Sequence, residues 1–208
     1  PGQILGAYWV PSDGLAKAVR VCEAMARVAQ AAGVEFHGRT PVTGIEVTDG
    51  RVQAVVTANG RIATERVLIC AGIWGPKVGR MAGIEIPLMP VEHQMTWTSP
   101  LPELAGETRE IVHPILRHQD RDMYFRQWFD GYGVGSYQHE PRLVDAEEIR
   151  AHGEPDDEPA SNPFVAEDFA PAWEDGCQLL PALRNTGIVK AFNGMFSFTP
   201  DAFPVLGE

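Results

Sequence analysis

PVTGIEVTDGRVQAVVTANGRIATERVLICAG, residues 41–72, decides how the chain is read. Asp49-Gly50 and Asn59-Gly60 are the dipeptides that favour two-residue hairpin turns, because both central positions tolerate left-handed backbone. They divide the stretch into three short strands, so a small antiparallel meander is expected. RVLICAG at its end has a different pattern. Four consecutive apolar residues followed by Ala-Gly fit a strand buried on both faces, ending where a ligand or a backbone comes close to Gly72.

Upstream, GAYWVPSDG (6–14) reads as a short strand and a turn. In LAKAVRVCEAMARVAQAAG (15–33), Leu15, Val19, Cys22, Met25 or Ala26, Ala29 and Ala32 recur at helical spacing, with Lys17, Arg20, Glu23 and Arg27 between them. Gly33 is a natural stop. VEFHG (34–38) follows as a strand. Strand, helix, glycine and strand in that order have the rhythm of a crossover unit.

Downstream the style changes. Prolines 87, 90, 100 and 102 exclude a long helix over 84–104. VEHQMTWTS fits one strand with His93, Met95 and Trp97 on one face and Glu92, Gln94 and Thr96 on the other. DMYFRQW, Asp130-Gly131 and YGVGSYQ form a hairpin in which Tyr124, Arg126 and Trp128 alternate with Met123, Phe125 and Gln127. The sequence does not say which face points inward. Residues 144–164 are acidic and proline-containing, the pattern of a solvated connection. Residues 164–183 are expected to be helical in part, interrupted by Pro171 and Gly176. GIVKAFNG (187–194) is a strand leading into NGMFSFTPDAFPVLGE. α/β units thus occupy 6–72, an aromatic-rich antiparallel sheet 88–139, and a buried strand with tight turns 187–208.

The formal charge is 17 minus 28, or -11, which argues against a nucleic-acid partner. No apolar run reaches the roughly 20 residues needed to span a bilayer. Cys22, Cys70 and Cys177 make neither a disulfide framework nor a metal knuckle. The six histidines lack metal-ligand spacing, so no metal is expected. Gly-x-Ser-x-Gly, a P-loop and Gly-x-Gly-x-x-Gly are all missing, and GYGVG (131–135) sits in a hairpin instead. What remains is His93 on a strand and Tyr124 in the aromatic hairpin. They are either a proton-handling pair or a core histidine and an ordinary sheet tyrosine.

GAYWVPSDG, residues 33–83, PLMPVEHQMTWTSP, RHQDRDMYFRQ, GYGVGSYQHEP and FNGMFSFTPDAFPVLGE occur in an order that resembles the dimethylglycine and sarcosine dehydrogenase/oxidase family. These are FAD-dependent, glycine-oxidase-like flavoproteins. The resemblance implies a mixed α/β fold in which a partial FAD-binding Rossmann-like domain is interleaved with an antiparallel-sheet substrate domain. Residues 1–87 would belong to the FAD-binding domain, 88–186 to the substrate-binding domain, and 187–208 to a return to the FAD. It further implies His93 and Tyr124 as catalytic residues. Val42, Ala71, Gly72, Trp74, Gly194, Met195, Phe196, Thr199, Pro200 and Asp201 would contact the cofactor. Arg117 or Arg126 would meet the substrate carboxylate, unless paired with Asp120 or Asp122. Met95 departs from the family, which often has tyrosine there.

The implied reaction is FAD-dependent oxidation of the N-methyl C–N bond of a secondary or tertiary amino acid such as dimethylglycine or sarcosine. The alternatives are a related FAD-dependent amino-acid oxidase and a non-catalytic folate-binding or remnant fragment without a complete cofactor site. The resemblance also implies oxygen or an electron-transfer flavoprotein as acceptor and tetrahydrofolate in a domain outside these residues. A cytoplasmic location is expected, or the mitochondrial matrix in a eukaryote. The missing glycine-rich loop leads to the expectation that the 208 residues are an internal piece that holds FAD poorly alone.

Overall fold

A computed structural model describes residues 4–151, 153 and 157–207. The chain divides into two compact units, residues 1–38 and 39–208.

In the first unit, α1 (Ala18–Ala31) forms where the helical spacing predicts it. It ends with Gly33 N–H donating to the Gln30 carbonyl and Val34 N–H to that of Ala29, as in a Schellman motif. No residue of α1 is buried, and Val19, Met25 and Val28 of its apolar stripe are exposed. The strands expected over 6–10 and 34–38 do not form. A strand exists only through a hydrogen-bonded neighbour, and no described segment pairs with either.

In the second unit, β1 (Val42–Thr48), β2 (Arg51–Thr57) and β3 (Gly60–Ala63) make the expected antiparallel meander. The β1–β2 turn has φ 51° at Asp49 and 72° at Gly50, the paired left-handed conformation that Asp-Gly favours. RVLICAG corrects the sequence reading, because it is not a strand and Leu68 is 87% exposed. The described residues supply no neighbouring strand for it. Gly75 and Pro76 begin the next helix. A 3-10 turn, Gly72–Trp74, leads directly into α2 (Gly75–Met81). Proline is tolerated in the first turn, where its missing N–H has no partner to lose.

The larger sheet contains β4 (Met89–Thr98), β5 (Leu116–His118), β6 (Met123–Trp128), β7 (Gly131–Ser136), β8 (Ser161–Asn162) and β9 (Ile188–Phe198). Its order is β5-β6-β7-β4-β9-β8, with every pairing antiparallel. One face is covered by α3 (Ala166–Leu179). Met123, Phe125 and Val134 from the sheet pack there with Phe169, Ala172, Cys177 and Leu183. This fixes the inward face of the hairpin, and Tyr124, Arg126 and Trp128 take the opposite one. Buried Gln94 accepts the Val165 N–H at 2.7 Å and so ties the start of α3 to β4. Glu92 accepts from Asn162 at 2.5 Å and Asn193 at 2.7 Å, linking β4, β8 and β9. The acidic connection is only partly solvated, since Ala146 and Ile149 are buried.

α3 runs without a break through Pro171 and Gly176, contrary to the expected interruption. Pro171 removes one helix hydrogen bond, while Phe169, Ala172, Gly176 and Cys177 bury the helix face around it. A Cβ at Gly176 would meet Met123 Cε at 3.4 Å and Val134 Cγ1 at 3.5 Å, ordinary contact distances. Gly176→Ala is therefore expected to raise stability by about 0.5–1 kcal/mol through helix propensity. Gly176→Leu should lower it by about 1–3 kcal/mol through overpacking. Denaturant midpoints of the two variants check both signs.

Candidate active site

Successive residues of a strand point to opposite faces, so the register defines the sheet face away from α3. β6 places Tyr124, Arg126 and Trp128 there. Their partners on β7 are Gly135, Gly133 and Gly131. β4 contributes His93, Met95 and Trp97, and β9 contributes Lys190, Phe192, Gly194 and Phe196.

The row of glycines makes this face work. A Cβ on Gly135 would lie 2.1 Å from Tyr124 Cζ, and one on Gly133 would lie 2.6 Å from Met95 Cε. Side chains of β6 and β4 therefore lie across a strand that has no side chains of its own on this face. Next-but-one strands are separated by about 10 Å. Across that span Tyr124 Oη reaches His93 Nε2 at 2.7 Å. His93 is 2% exposed. Its ring stacks on Tyr137 with centroids 4.0 Å apart and meets the edge of Phe196 at 5.3 Å. On its far side, His93 Nδ1 is 3.3 Å from His139 Nε2.

Burial lowers the His93 pKa to about 4, helped by the positive form of His139 nearby. Burial, reinforced by Tyr137, raises that of Tyr124, while Arg117 opposes the rise. Both groups are thus neutral near pH 7. Below about 6.5, the ordinary histidine value, the unfolded chain takes up this proton before the folded one does. Stability should therefore fall as the pH drops from about 6.5 towards about 4. Denaturant midpoints at pH 7 and pH 5 should differ less in His93→Gln than in the parent protein.

Beside the pair lies a groove of about 430 Å³, with Trp74, Trp97, Lys190, Phe192 and Gly194 among its walls. Lys190 Nζ lies 5.1 Å from the centre of the Trp97 ring. Trp74 is held by donation from Nε1 to the Arg150 carbonyl at 3.0 Å. Among the described residues, Trp97 Nε1 and Arg126 Nε are buried donors without a partner.

The structure joins some of the residues singled out in the sequence and not others. His93 and Tyr124 are in direct contact, Phe196 packs on His93, and Trp74 and Gly194 share the groove. Gly72 opens the 3-10 turn with φ 52°, directly after half-buried Ala71. Val42 begins β1 in the other sheet. Met195 points to the opposite face from Gly194. Thr199, Pro200 and Asp201 form a local turn, in which Thr199 Oγ1 donates to the Phe203 carbonyl at 2.7 Å and Asp201 accepts the Phe203 N–H at 3.1 Å. Arg126 pairs with Glu110 at 3.1 Å rather than with Asp120 or Asp122. Arg117 sits opposite Tyr124 on β5, and no ion pair to it is formed among the described residues. Sequence reasoning missed Tyr137 and His139. The signal within reach was glycine at alternate positions 131, 133 and 135, which leaves room for large neighbours.

The family model described as FAD dependent oxidoreductase matches residues 1–208. The chain is 34% identical over 217 residues to mitochondrial sarcosine dehydrogenase of Homo sapiens, covering 99% of this chain and 22% of that protein. It is 30% identical over 209 residues to mitochondrial dimethylglycine dehydrogenase of Rattus norvegicus, covering 99% of this chain and 24% of that protein. The chain thus spans about a quarter or less of the length of these curated relatives. Among solved structures, L-proline dehydrogenase from P. horikoshii superposes with a TM-score of 0.73 at 26% identity, over 96% of this chain and 49% of that one. With the match running from the first residue to the last and the mixed α/β fold shared, the chain belongs to the FAD dependent oxidoreductase family.

Proposed function

We propose that these residues form the substrate side of a flavoprotein that oxidises the N-methyl C–N bond of a secondary or tertiary amino acid of the sarcosine or dimethylglycine kind. The observation that carries the proposal is the 2.7 Å contact between neutral Tyr124 and neutral His93 on an aromatic sheet face. The family implies FAD, and part of this face suits it. Trp97 Nε1 and Arg126 Nε are buried donors that need acceptors, which the polar edge of a flavin ring would supply. Trp97, Arg126, Gly194 and Phe196 would hold the flavin-ring side, with Gly72 and Trp74 at its flank. FAD supplies the two-electron oxidation, formally removing a hydride from the N-methyl carbon.

The chain's own residues prepare the amine. An N-methyl amino acid is an ammonium ion near neutrality, and oxidation requires its nitrogen lone pair. Tyr124 meets that proton, and His93 behind it, kept neutral by burial, has a lone pair to take up charge. Phe196 and Tyr137 enclose the reacting region in apolar surface that also favours a methylated cation. Arg117, opposite Tyr124, offers its guanidinium to the substrate carboxylate.

The test is a substrate panel on the flavin-loaded full-length protein with an artificial electron acceptor. Sarcosine and dimethylglycine should be consumed with formaldehyde appearing in step. Turnover confined to glycine, D-alanine or proline, without formaldehyde, would replace this reading with that of a related amino-acid oxidase.

A further inference from the structure

We propose that His139 and the Glu140 carbonyl extend the Tyr124–His93 pair into a proton relay with a fixed direction, running from the substrate side of the sheet to His139. The role assigned to Tyr124 rests on the function proposed above. The direction of the relay rests on hydrogen-bond chemistry alone.

The chain of contacts is continuous. Tyr124 Oη is 2.7 Å from His93 Nε2, His93 Nδ1 is 3.3 Å from His139 Nε2, and His139 Nδ1 is 3.0 Å from the Glu140 carbonyl oxygen. A carbonyl oxygen can only accept. His139 Nδ1 therefore carries a proton, and in neutral His139 the lone pair lies on Nε2. That lone pair faces His93 Nδ1, which must then be the donor. Neutral His93 consequently holds its own lone pair on Nε2, and Tyr124 must donate its hydroxyl proton to it. One backbone carbonyl thus sets both tautomers and the direction of the tyrosine O–H.

Transfer along this chain balances. A proton leaves the substrate ammonium for Tyr124 Oη as the tyrosine's own proton passes to His93 Nε2. The His93 Nδ1 proton passes to His139 Nε2. Tyr124 ends as a neutral phenol and His93 as the other neutral tautomer. His139 gains one N–H bond and the positive charge, with Nδ1–H still on the carbonyl. The substrate nitrogen keeps the electron pair it needs. Stacking by Tyr137 and the edge of Phe196 hold the His93 ring in line. Arg117 is the charged group that acts on Tyr124 from β5. His93 is a poor base in this setting and so does not trap the proton. His139 is only partly buried, so the charge arrives where water can remove it.

His139 is a positioning and accepting residue, and the test separates those roles. Solid-state ¹⁵N spectra of the histidine-labelled, flavin-loaded full-length protein at neutral pH report each ring's tautomer without substrate. His93 and His139 should both carry the proton on Nδ1, and a proton on Nε2 of either ring would overturn the relay. His139→Gln can still accept from His93 through its amide oxygen but cannot take up a proton. It should preserve the His93 tautomer yet slow anaerobic flavin reduction by dimethylglycine about tenfold or more. His139→Phe removes the acceptor and should shift the His93 proton to Nε2. An unchanged His93 tautomer in His139→Phe, or an unchanged reduction rate in His139→Gln, would also overturn the proposal. A parent protein that ignores dimethylglycine but shows both Nδ1–H tautomers would remove the substrate reading and leave the relay supported.

Discussion

Tyr124→Phe is expected to slow anaerobic reduction of the bound flavin by an N-methyl amino acid about 10²-fold, with the fold retained. The phenylalanine ring fills the same space over Gly135, so packing is nearly unchanged. What disappears is the hydroxyl 2.7 Å from His93 Nε2. The substrate proton then has no first acceptor, and properly placed proton transfer contributes about 10²–10⁴-fold to such steps. His93 Nε2 is left buried without its donor, which should lower stability by about 1–3 kcal/mol. Stopped-flow reduction at saturating substrate measures the first effect and a denaturant midpoint the second. A reduction rate equal to that of the parent protein would remove Tyr124 from the chemistry.

Gly135→Ala is expected to be as damaging, although it alters no reacting group. The new methyl would lie 2.1 Å from Tyr124 Cζ and 2.3 Å from its hydroxyl oxygen. Such contacts are impossible, so the tyrosine ring must swing off β7 and release His93. Flavin reduction should again fall about 10²-fold, matching the loss of the hydroxyl. The loss should not add to that of Tyr124→Ala. Once the ring is gone, an alanine at 135 has little left to displace, and the double variant should reduce flavin no more slowly than Tyr124→Ala alone. A Gly135→Ala protein with parental rate would show that the tyrosine does not need to lie across the strand.

Local chemistry made much of the fold legible. Asp49-Gly50 and Asp130-Gly131 marked their hairpins, and alternation correctly grouped His93 with Met95 and Trp97. Tertiary partners decided the rest. The inward face of β6 depends on Phe169 and Cys177 of α3, more than 40 residues further on. RVLICAG has the composition of a buried strand but no described strand beside it. Pro171 was read as a breaker, whereas packing of the helix face around it made it tolerable. Within the site, His93 and Tyr124 were visible as residue types able to share a proton. His139 was not, because it meets His93 from a loop 46 residues away. The glycines of GYGVG were placed in a hairpin, and their purpose appears only when Tyr124 and Met95 lie across them.

The central claim is that this face prepares an N-methyl amine for oxidation by freeing its lone pair. Anaerobic mixing of the flavin-loaded full-length protein with dimethylglycine or with its quaternary counterpart, N,N,N-trimethylglycine, tests it most directly. The two share the carboxylate and the methylated nitrogen, but only the first can lose a proton and expose a lone pair. The flavin absorbance should bleach with dimethylglycine and stay unchanged with trimethylglycine. Equal bleaching by both, or none with dimethylglycine, would contradict the claim.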